Sequence, residues 1–98
     1  MASTGASPEA YEAVIAAVSK CISDIGQACQ DMGQAATDCV DNCEGDPLAA
    51  KAQSKLSEKL QVVQQNLETM GEVVAALQAE LERMLEEAQA NSGKIDSL

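Results

Sequence analysis

The chain has 98 residues, a formal net charge of -10 and one aromatic residue, Tyr11, with no His, Trp or Phe. This length allows one domain, and the lack of bulky side chains argues against a compact core. The negative charge argues against binding to nucleic acid or to anionic membranes. Without His, the common nucleophile pairs are missing, and no phosphate-binding glycine loop is present. We therefore expect no enzyme, and no catalytic, cofactor-binding or metal-binding residues.

The first half of the chain predicts one long helix. Residues 1–7 are small and polar and are expected to be flexible, with Ser7 as the helix cap, Pro8 at the first position and Glu9 beside the positive end of the helix dipole. We predict a helix over 8–43, because apolar residues recur there at alternating steps of four and three, the period of a coiled coil. The predicted packing seam contains Tyr11, Ile15, Val18, Ile22, Ile25, Cys29, Met32, Ala36, Cys39 and Cys43.

A turn over 44–47 and a second helix over 47–90 complete the predicted fold. Gly45 breaks the first helix, and Asp46 with Pro47 caps and opens the second. Residues 91–98 are predicted to be a frayed tail, since Asn91-Ser92-Gly93 reads as a stop signal. The fold class is therefore all-α, with two long antiparallel helices forming a coiled-coil hairpin. Its second seam contains Leu56, Leu60, Val63, Leu67, Met70, Val74, Leu77, Leu81, Met84 and Ala88.

Such a hairpin is expected to associate with further helices. Two helices bury only one stripe each, so a lone hairpin is marginally stable and gains from packing against copies of itself or a helical partner protein. No apolar run is long enough for membrane insertion, and the start of the chain lacks the blocks of a cleavable signal peptide. We expect a soluble protein whose export, if any, uses a route without such a signal.

The four cysteines allow two interpretations. All of them, Cys21, Cys29, Cys39 and Cys43, belong to the first helix, so no disulfide can join the two helices within one chain. Cys39 and Cys43 are spaced like half of a zinc site, but Cys29 is almost three turns away and no His is available. Buried inert thiols are the favoured interpretation. The alternative is that the cysteines form intermolecular disulfides in an oxidising environment.

Two further patterns leave alternatives open. Gly26, Gly33 and Gly71 each follow a seam residue, which indicates either close approach by another helix or a tolerated local weakness. Aspartates recur every seven residues on the other flank of the first helix, which indicates a solvated ridge or, alternatively, a docking strip for a basic groove. These aspartates are Asp24, Asp31 and Asp38.

The turn and the residues after it resemble a known family. In the run from Asp46 to Glu58, a Pro in the turn is followed by Leu and Ala, and then by a Gln with a Leu three residues later. This pattern is similar to that of needle-forming proteins of bacterial type III secretion systems. The residues that carry the resemblance are Asp46, Pro47, Leu48, Ala49, Gln53 and Leu56. The resemblance implies a subunit that is exported unfolded and polymerises into a hollow extracellular needle for protein transport in virulence.

Two main functions follow from these features. The first is a structural subunit of a type III needle-like filament, secreted or at the bacterial surface without a cleavable signal peptide. The second is a small acidic cytoplasmic chaperone or adaptor that binds a partner helix in a groove, for which high charge density would maintain solubility. A plain dimer forming a four-helix bundle is a third, simpler interpretation. The size of the assembly distinguishes them, since only a needle subunit forms long polymers.

Overall fold

The protein is an elongated helical hairpin, as the apolar periodicity predicts. The structure is a computed structural model that describes residues 7–96, with the side chains of residues 7–90. Helix α1 spans Pro8–Asn42 and helix α2 spans Pro47–Asp96. The two helices pack against each other in a molecule measuring 79 × 21 × 16 Å. The all-α antiparallel fold class is confirmed.

Local interactions fix the start of α1. The Ser7 Oγ accepts a hydrogen bond from the Ala10 backbone N–H at 3.3 Å, and Pro8 occupies the first turn. The Ser7 hydroxyl also donates to the Glu9 carboxylate at 3.0 Å. A backbone hydrogen bond and this hydroxyl lower the pKa of Glu9, so the carboxylate stays charged beside the helix dipole. Residues 1–6 of the predicted flexible segment lie outside the described residues.

The turn is fixed by hydrogen bonds on both sides. The Cys43 backbone N–H donates to the Cys39 carbonyl and closes α1, while Gly45 adopts φ +80°, the left-handed region that favours glycine. The Asp46 carboxylate then accepts from the Leu48 backbone N–H at 2.9 Å and caps α2. The chain therefore reverses direction within a few residues and brings α2 back along α1.

The end of α2 differs from the prediction. The helix continues to Asp96, so the stop predicted at Asn91-Ser92-Gly93 is wrong. Asn, Ser and Gly each cost a helix about 1 kcal/mol or less, and a stop requires a residue that cannot continue the helix, such as Pro. The two final residues of the predicted tail, 97–98, lie outside the described part of the chain.

The antiparallel register follows from two contacts between the helices. The Gln53 Nε2 donates to the Thr37 Oγ1 at 3.2 Å, and Leu60 Cδ1 lies 3.9 Å from the place that a Cβ at Gly33 would take. Both helices rise by the same distance per residue, so counting back from Gly33 along α1 and forward from Leu60 along α2 places Pro8 opposite about residue 85. The remainder of α2 therefore extends past the start of α1.

The interior of the hairpin is thin. Only Cys29, Ala49 and Val74 are buried among the described apolar residues, and no large side chain is fully enclosed. Most of the other predicted seam residues are half-buried, because two helices cover each side chain on one side and leave it open on the others.

Candidate assembly surface

The packing seam follows the predicted heptads along most of the hairpin and departs from them near the turn. On α1 the predicted positions from Tyr11 to Cys29 are buried or half-buried; beyond Cys29, Ala36 keeps its predicted place, and the two other contact positions shift by one residue. Gly33 and Val40 face α2, whereas Met32 is 44% exposed. The prediction that Met32, Cys39 and Cys43 lie in the seam is therefore wrong. A straight α-helix repeats every 3.6 residues and drifts about 20° per heptad against a 3.5-residue pattern, and this shift restores the contact.

On α2 the seam is occupied from Leu56 to Met84, the last of the half-buried predicted positions. Ala88 is exposed, which contradicts its predicted place in the seam. The reason is the length difference between the helices, since α1 begins opposite about residue 85 and offers nothing beyond it. The predicted seam residues that are buried or half-buried on the two helices are Tyr11, Ile15, Val18, Ile22, Ile25, Cys29, Ala36, Leu56, Leu60, Val63, Leu67, Met70, Val74, Leu77, Leu81 and Met84.

The residues of the turn motif have separate roles in the hairpin. Asp46 caps α2 and Pro47 occupies its first position. Gln53 and Leu56 face α1, where the Gln53 amide provides a polar contact to Thr37. Leu48 is 73% exposed at the tip of the hairpin, so it makes little contact within one chain. The motif thus builds the turn and leaves one leucine available to a neighbour.

The exposed apolar side chains lie together on one face. Among the described residues, six large apolar side chains are exposed, and five of them directly precede a seam residue. An antiparallel pair of helices has an approximate two-fold axis perpendicular to the plane that contains both helices. Residues that directly precede a seam residue on α1 and on α2 therefore lie on the same side of that plane. We call this side the valine face, and define it by Val14, Met32, Leu48, Val62 and Val73.

The opposite side of the hairpin is polar. The positions that directly follow a seam residue are mostly Ser, Thr, Gln and Glu, and Leu85 is the one large apolar exception among the described residues. The hairpin therefore has one apolar side and one polar side, in addition to the apolar seam between its two helices. Sequence reasoning missed the valine face, although its signal was present as apolar residues one position before the seam.

Three lysines form a basic stripe near the turn in this acidic protein. Lys51, Lys55 and Lys59 are one turn apart on α2 and exposed. Within the part of the chain whose side chains are described, none of the three has an acidic partner within 4 Å. Lys55 and Lys59 directly precede seam residues, so this stripe borders the valine face.

The other end of α2 carries an ion-pair cluster. Arg83 pairs with Glu80 and, at 2.7 Å, with Glu87. Hydrogen bonds from Arg83 lower the pKa of Glu80, and the two carboxylates raise the pKa of Arg83. One guanidinium offsets two carboxylates here, so this end of the valine face keeps a net negative charge opposite in sign to that of the lysine stripe.

Three of the four thiols are exposed. Cys29 is 5% exposed in the seam, whereas Cys21, Cys39 and Cys43 are open to solvent, and all four are unbonded. A hydrogen bond with the neighbouring Cys43 thiol, together with its charge, raises the pKa of Cys39. The expectation of buried inert thiols therefore holds for Cys29 and is wrong for Cys39 and Cys43. Whether the exposed thiols link separate chains stays a prediction.

The acidic ridge on α1 is held by side chains of the same helix. Asp24, Asp31 and Asp38 each accept a bond from the residue four positions earlier, with Lys20 donating to Asp24 at 2.6 Å. The ridge is exposed, and these local bonds use part of its hydrogen-bonding capacity.

The glycines do not receive a close neighbour from within the chain. A Cβ at Gly26 or Gly71 would meet no atom within 4 Å, and one at Gly33 would only touch Leu60. Close approach by another helix at Gly26 and Gly71 therefore requires a second molecule.

Within residues 7–96, no helix is long and apolar enough to cross a membrane. In the same part of the chain, no three acidic, His or Cys side chains lie close enough to hold a metal ion. Comparison of the chain with protein-family models, with curated proteins and with solved structures finds no match. The resemblance to needle proteins therefore rests on the turn motif and the hairpin layout, and the assembly surface must be argued from its own chemistry.

Proposed function

We propose that this chain is a structural subunit that works by self-assembly, with its helices completing their packing against other copies. The observation that carries this proposal is the combination of a thin interior with a one-sided apolar surface. Only three apolar residues among 7–90 are buried, while the valine face leaves five large apolar side chains between 44% and 73% exposed. A protein that functions as a lone monomer gains nothing from such a face.

The energetic gain from covering this face is substantial for a small protein. Full burial of a Val, Leu or Met side chain contributes about 1.5–3 kcal/mol, so covering the exposed half of one contributes about 1 kcal/mol. Five such side chains in each copy give several kcal/mol before the cost of association. Because folded stability is only about 5–15 kcal/mol, assembly would stabilise the hairpin appreciably.

The specific form that we propose is a needle-like filament of the type III secretion class. It is supported by the resemblance of the run from Asp46 to Glu58, and by the exposed Leu48 at the tip of the hairpin, where a filament subunit would meet its neighbour. In this form the protein would act outside the cell or at the bacterial surface, as part of a conduit for exported proteins.

A second candidate function has its own supporting observation. The end of α2 extends past α1, with Leu85 exposed where the overlap of the two helices ends and Glu86 and Glu87 beyond it. A helix end that extends beyond its partner helix, with an exposed leucine at its base and adjacent glutamates, suits a cytoplasmic chaperone or adaptor that receives a partner helix. In that case the partner would be basic or neutral.

The first test is the size of the assembly. Light scattering and negative-stain microscopy should be recorded over a series of protein concentrations, with and without reductant. Long uniform fibres would support the filament, and their loss under reductant would assign a linking role to the exposed thiols. A fixed small oligomer at every concentration would refute the filament but keep self-assembly. A monomer throughout would refute self-assembly and favour the chaperone or adaptor.

A further inference from the structure

We propose that the valine face packs on the same face of a second copy in antiparallel orientation, forming a four-helix unit with a two-fold axis that crosses α2 between Asn66 and Thr69. This inference rests on the proposed self-assembly and specifies its contact surface and register. It commits to a second copy of this chain as the occupant of the face.

The order of side chains along α2 supports this register. The positions that directly precede seam residues are spaced by four and three, so they form a second stripe beside the first. When two copies of this stripe lie antiparallel, Lys meets Glu at the ends, Val meets Val inside them and two polar residues meet at the centre, while the fourth pair is Lys59 with Ala76. The residues that carry this pattern are Lys55, Val62, Asn66, Thr69, Val73 and Glu80.

Charge complementarity favours the antiparallel orientation over the parallel one. In the antiparallel contact, the lysine stripe of one copy meets the Glu80 end of the other, and the same contact repeats across the axis. A parallel contact of the two faces would instead place α2 of each copy on α1 of the other, because a two-fold axis along the helices exchanges their positions, and Lys55 would not meet Glu80. The three lysines have no acidic partner within one chain among residues 7–90, so the second copy would provide one.

The α1 side of the face is compatible with the same axis. At the observed register, the axis passes close to Asp24, and the large Val14 and Met32 of one copy come near small residues, Ala35 and Ala17, of the other. Asp24 is the one charged side chain at the α1 positions that precede the seam, and Lys20 already pairs with it at 2.6 Å. Large side chains that meet small ones allow two helices to interdigitate.

The available area matches that of a stable dimer. The stripe from Lys55 to Glu80 is about 37 Å long at the helical rise, and the hairpin is 21 Å wide in its broader cross-section. The footprint is therefore about 800 Å² per copy, which is the size of a standard specific interface.

A zero-length carbodiimide cross-link tests the register with the unmodified protein. Lys55 and Glu80 lie about 37 Å apart along one rigid helix, so an amide bond between them can form only between two copies. Peptide mass spectrometry of the cross-linked dimer should identify a Lys55–Glu80 link. An oligomer that cross-links efficiently through other pairs but never through Lys55 or Lys59 to Glu80 would overturn this face while leaving self-assembly intact.

A matched pair of variants tests the face separately from the fold. Val62→Asp places a carboxylate on the valine face, whereas Gln61→Asp places the same carboxylate one residue earlier on the polar side, and both positions are exposed in the hairpin. Val62→Asp should raise the dissociation constant about a hundredfold or more while keeping the helical circular dichroism, because two unpaired carboxylates would be buried per dimer. Gln61→Asp should associate like the wild type.

The outcomes distinguish this inference from the proposed function. Equal association of the two variants would overturn the valine-face contact and leave self-assembly standing. A wild-type chain that stays monomeric at every concentration in sedimentation would overturn both. Loss of association in Val62→Asp alone, together with the Lys55–Glu80 link, would establish the contact.

Discussion

Val74 and Val73 provide a direct test of the packing seam, because the two adjacent valines have opposite environments. Val74 is 8% exposed in the seam, and Val73 is 51% exposed on the valine face. Replacing either by Ala removes two carbon groups and gains about 0.5 kcal/mol of helix propensity. The difference in stability between the two variants therefore reports burial within the hairpin.

The expected magnitudes follow from these exposures. At about 0.8 kcal/mol per buried carbon group, Val74→Ala loses about 1.5 kcal/mol and keeps a net loss of about 1 kcal/mol, or more if a cavity remains. Val73→Ala loses about half of that transfer energy, and its gain in helix propensity nearly cancels the loss. For a chain of this size, a difference of 1 kcal/mol corresponds to about 4–8 °C in Tm.

Thermal unfolding followed by circular dichroism over a hundredfold range of protein concentration is the suitable assay. Val74→Ala should lower Tm at every concentration. The Tm of Val73→Ala should match that of the wild type at the lowest concentration and should be lower than that of the wild type at high concentration. The reason is that Val73 contributes only to the contact between copies. Equal losses in the two variants at the lowest concentration would refute the seam and its register.

Three further predictions concern the turn, the thiols and the ion-pair cluster. Gly45→Ala should lower Tm by about 5–10 °C, because a side chain in the left-handed region costs about 1–2 kcal/mol. Gly26→Ala should raise Tm, because Gly26 lies in a helix with open space around it. A lower Tm of Gly26→Ala that appears only in the assembled protein would reveal a close helix from another copy. Mass-resolved alkylation of the reduced protein should leave Cys29 last to react, after the exposed Cys21, Cys39 and Cys43, and rapid reaction of Cys29 would contradict its place in the seam. Arg83 lowers the pKa of Glu80, so the pair stabilises the end of α2 at pH values above the ordinary carboxyl pKa. This contribution to stability is lost as the pH falls through the lowered pKa of Glu80. Arg83→Ala should therefore move the NMR titration midpoint of the Glu80 carboxyl upward, and an unchanged midpoint would exclude the ion pair in solution.

The resemblance to needle proteins and the apolar face lead to different experiments. The turn motif concerns about a dozen residues, of which Asp46, Gln53 and Leu56 are used within the hairpin itself. These residues would be needed in any tight hairpin of this kind, so variants of them test the fold rather than the filament. Leu48 is the large apolar residue of the motif that one chain leaves exposed, and its effect on fibre length would bear on the filament specifically.

The sequence by itself was sufficient to predict the two helices, the turn and the antiparallel return. These features depend on local interactions, such as the Ser7 cap, the Gly45 and Asp46 turn and the recurrence of apolar residues, which a linear pattern records directly. The end of α2 was predicted poorly because Asn, Ser and Gly weaken a helix without ending it.

Only the tertiary structure decided which residues near the turn face the partner helix. Met32 and Gly33, and likewise Cys39 and Val40, are adjacent pairs that either phase of the apolar pattern could place in the seam. A period of 3.5 residues and one of 3.6 separate by a full position only after several turns, so the sequence alone does not distinguish them. The position of α2 selects Gly33 and Val40, and this choice leaves Met32 exposed on the valine face, at about the level of Val62.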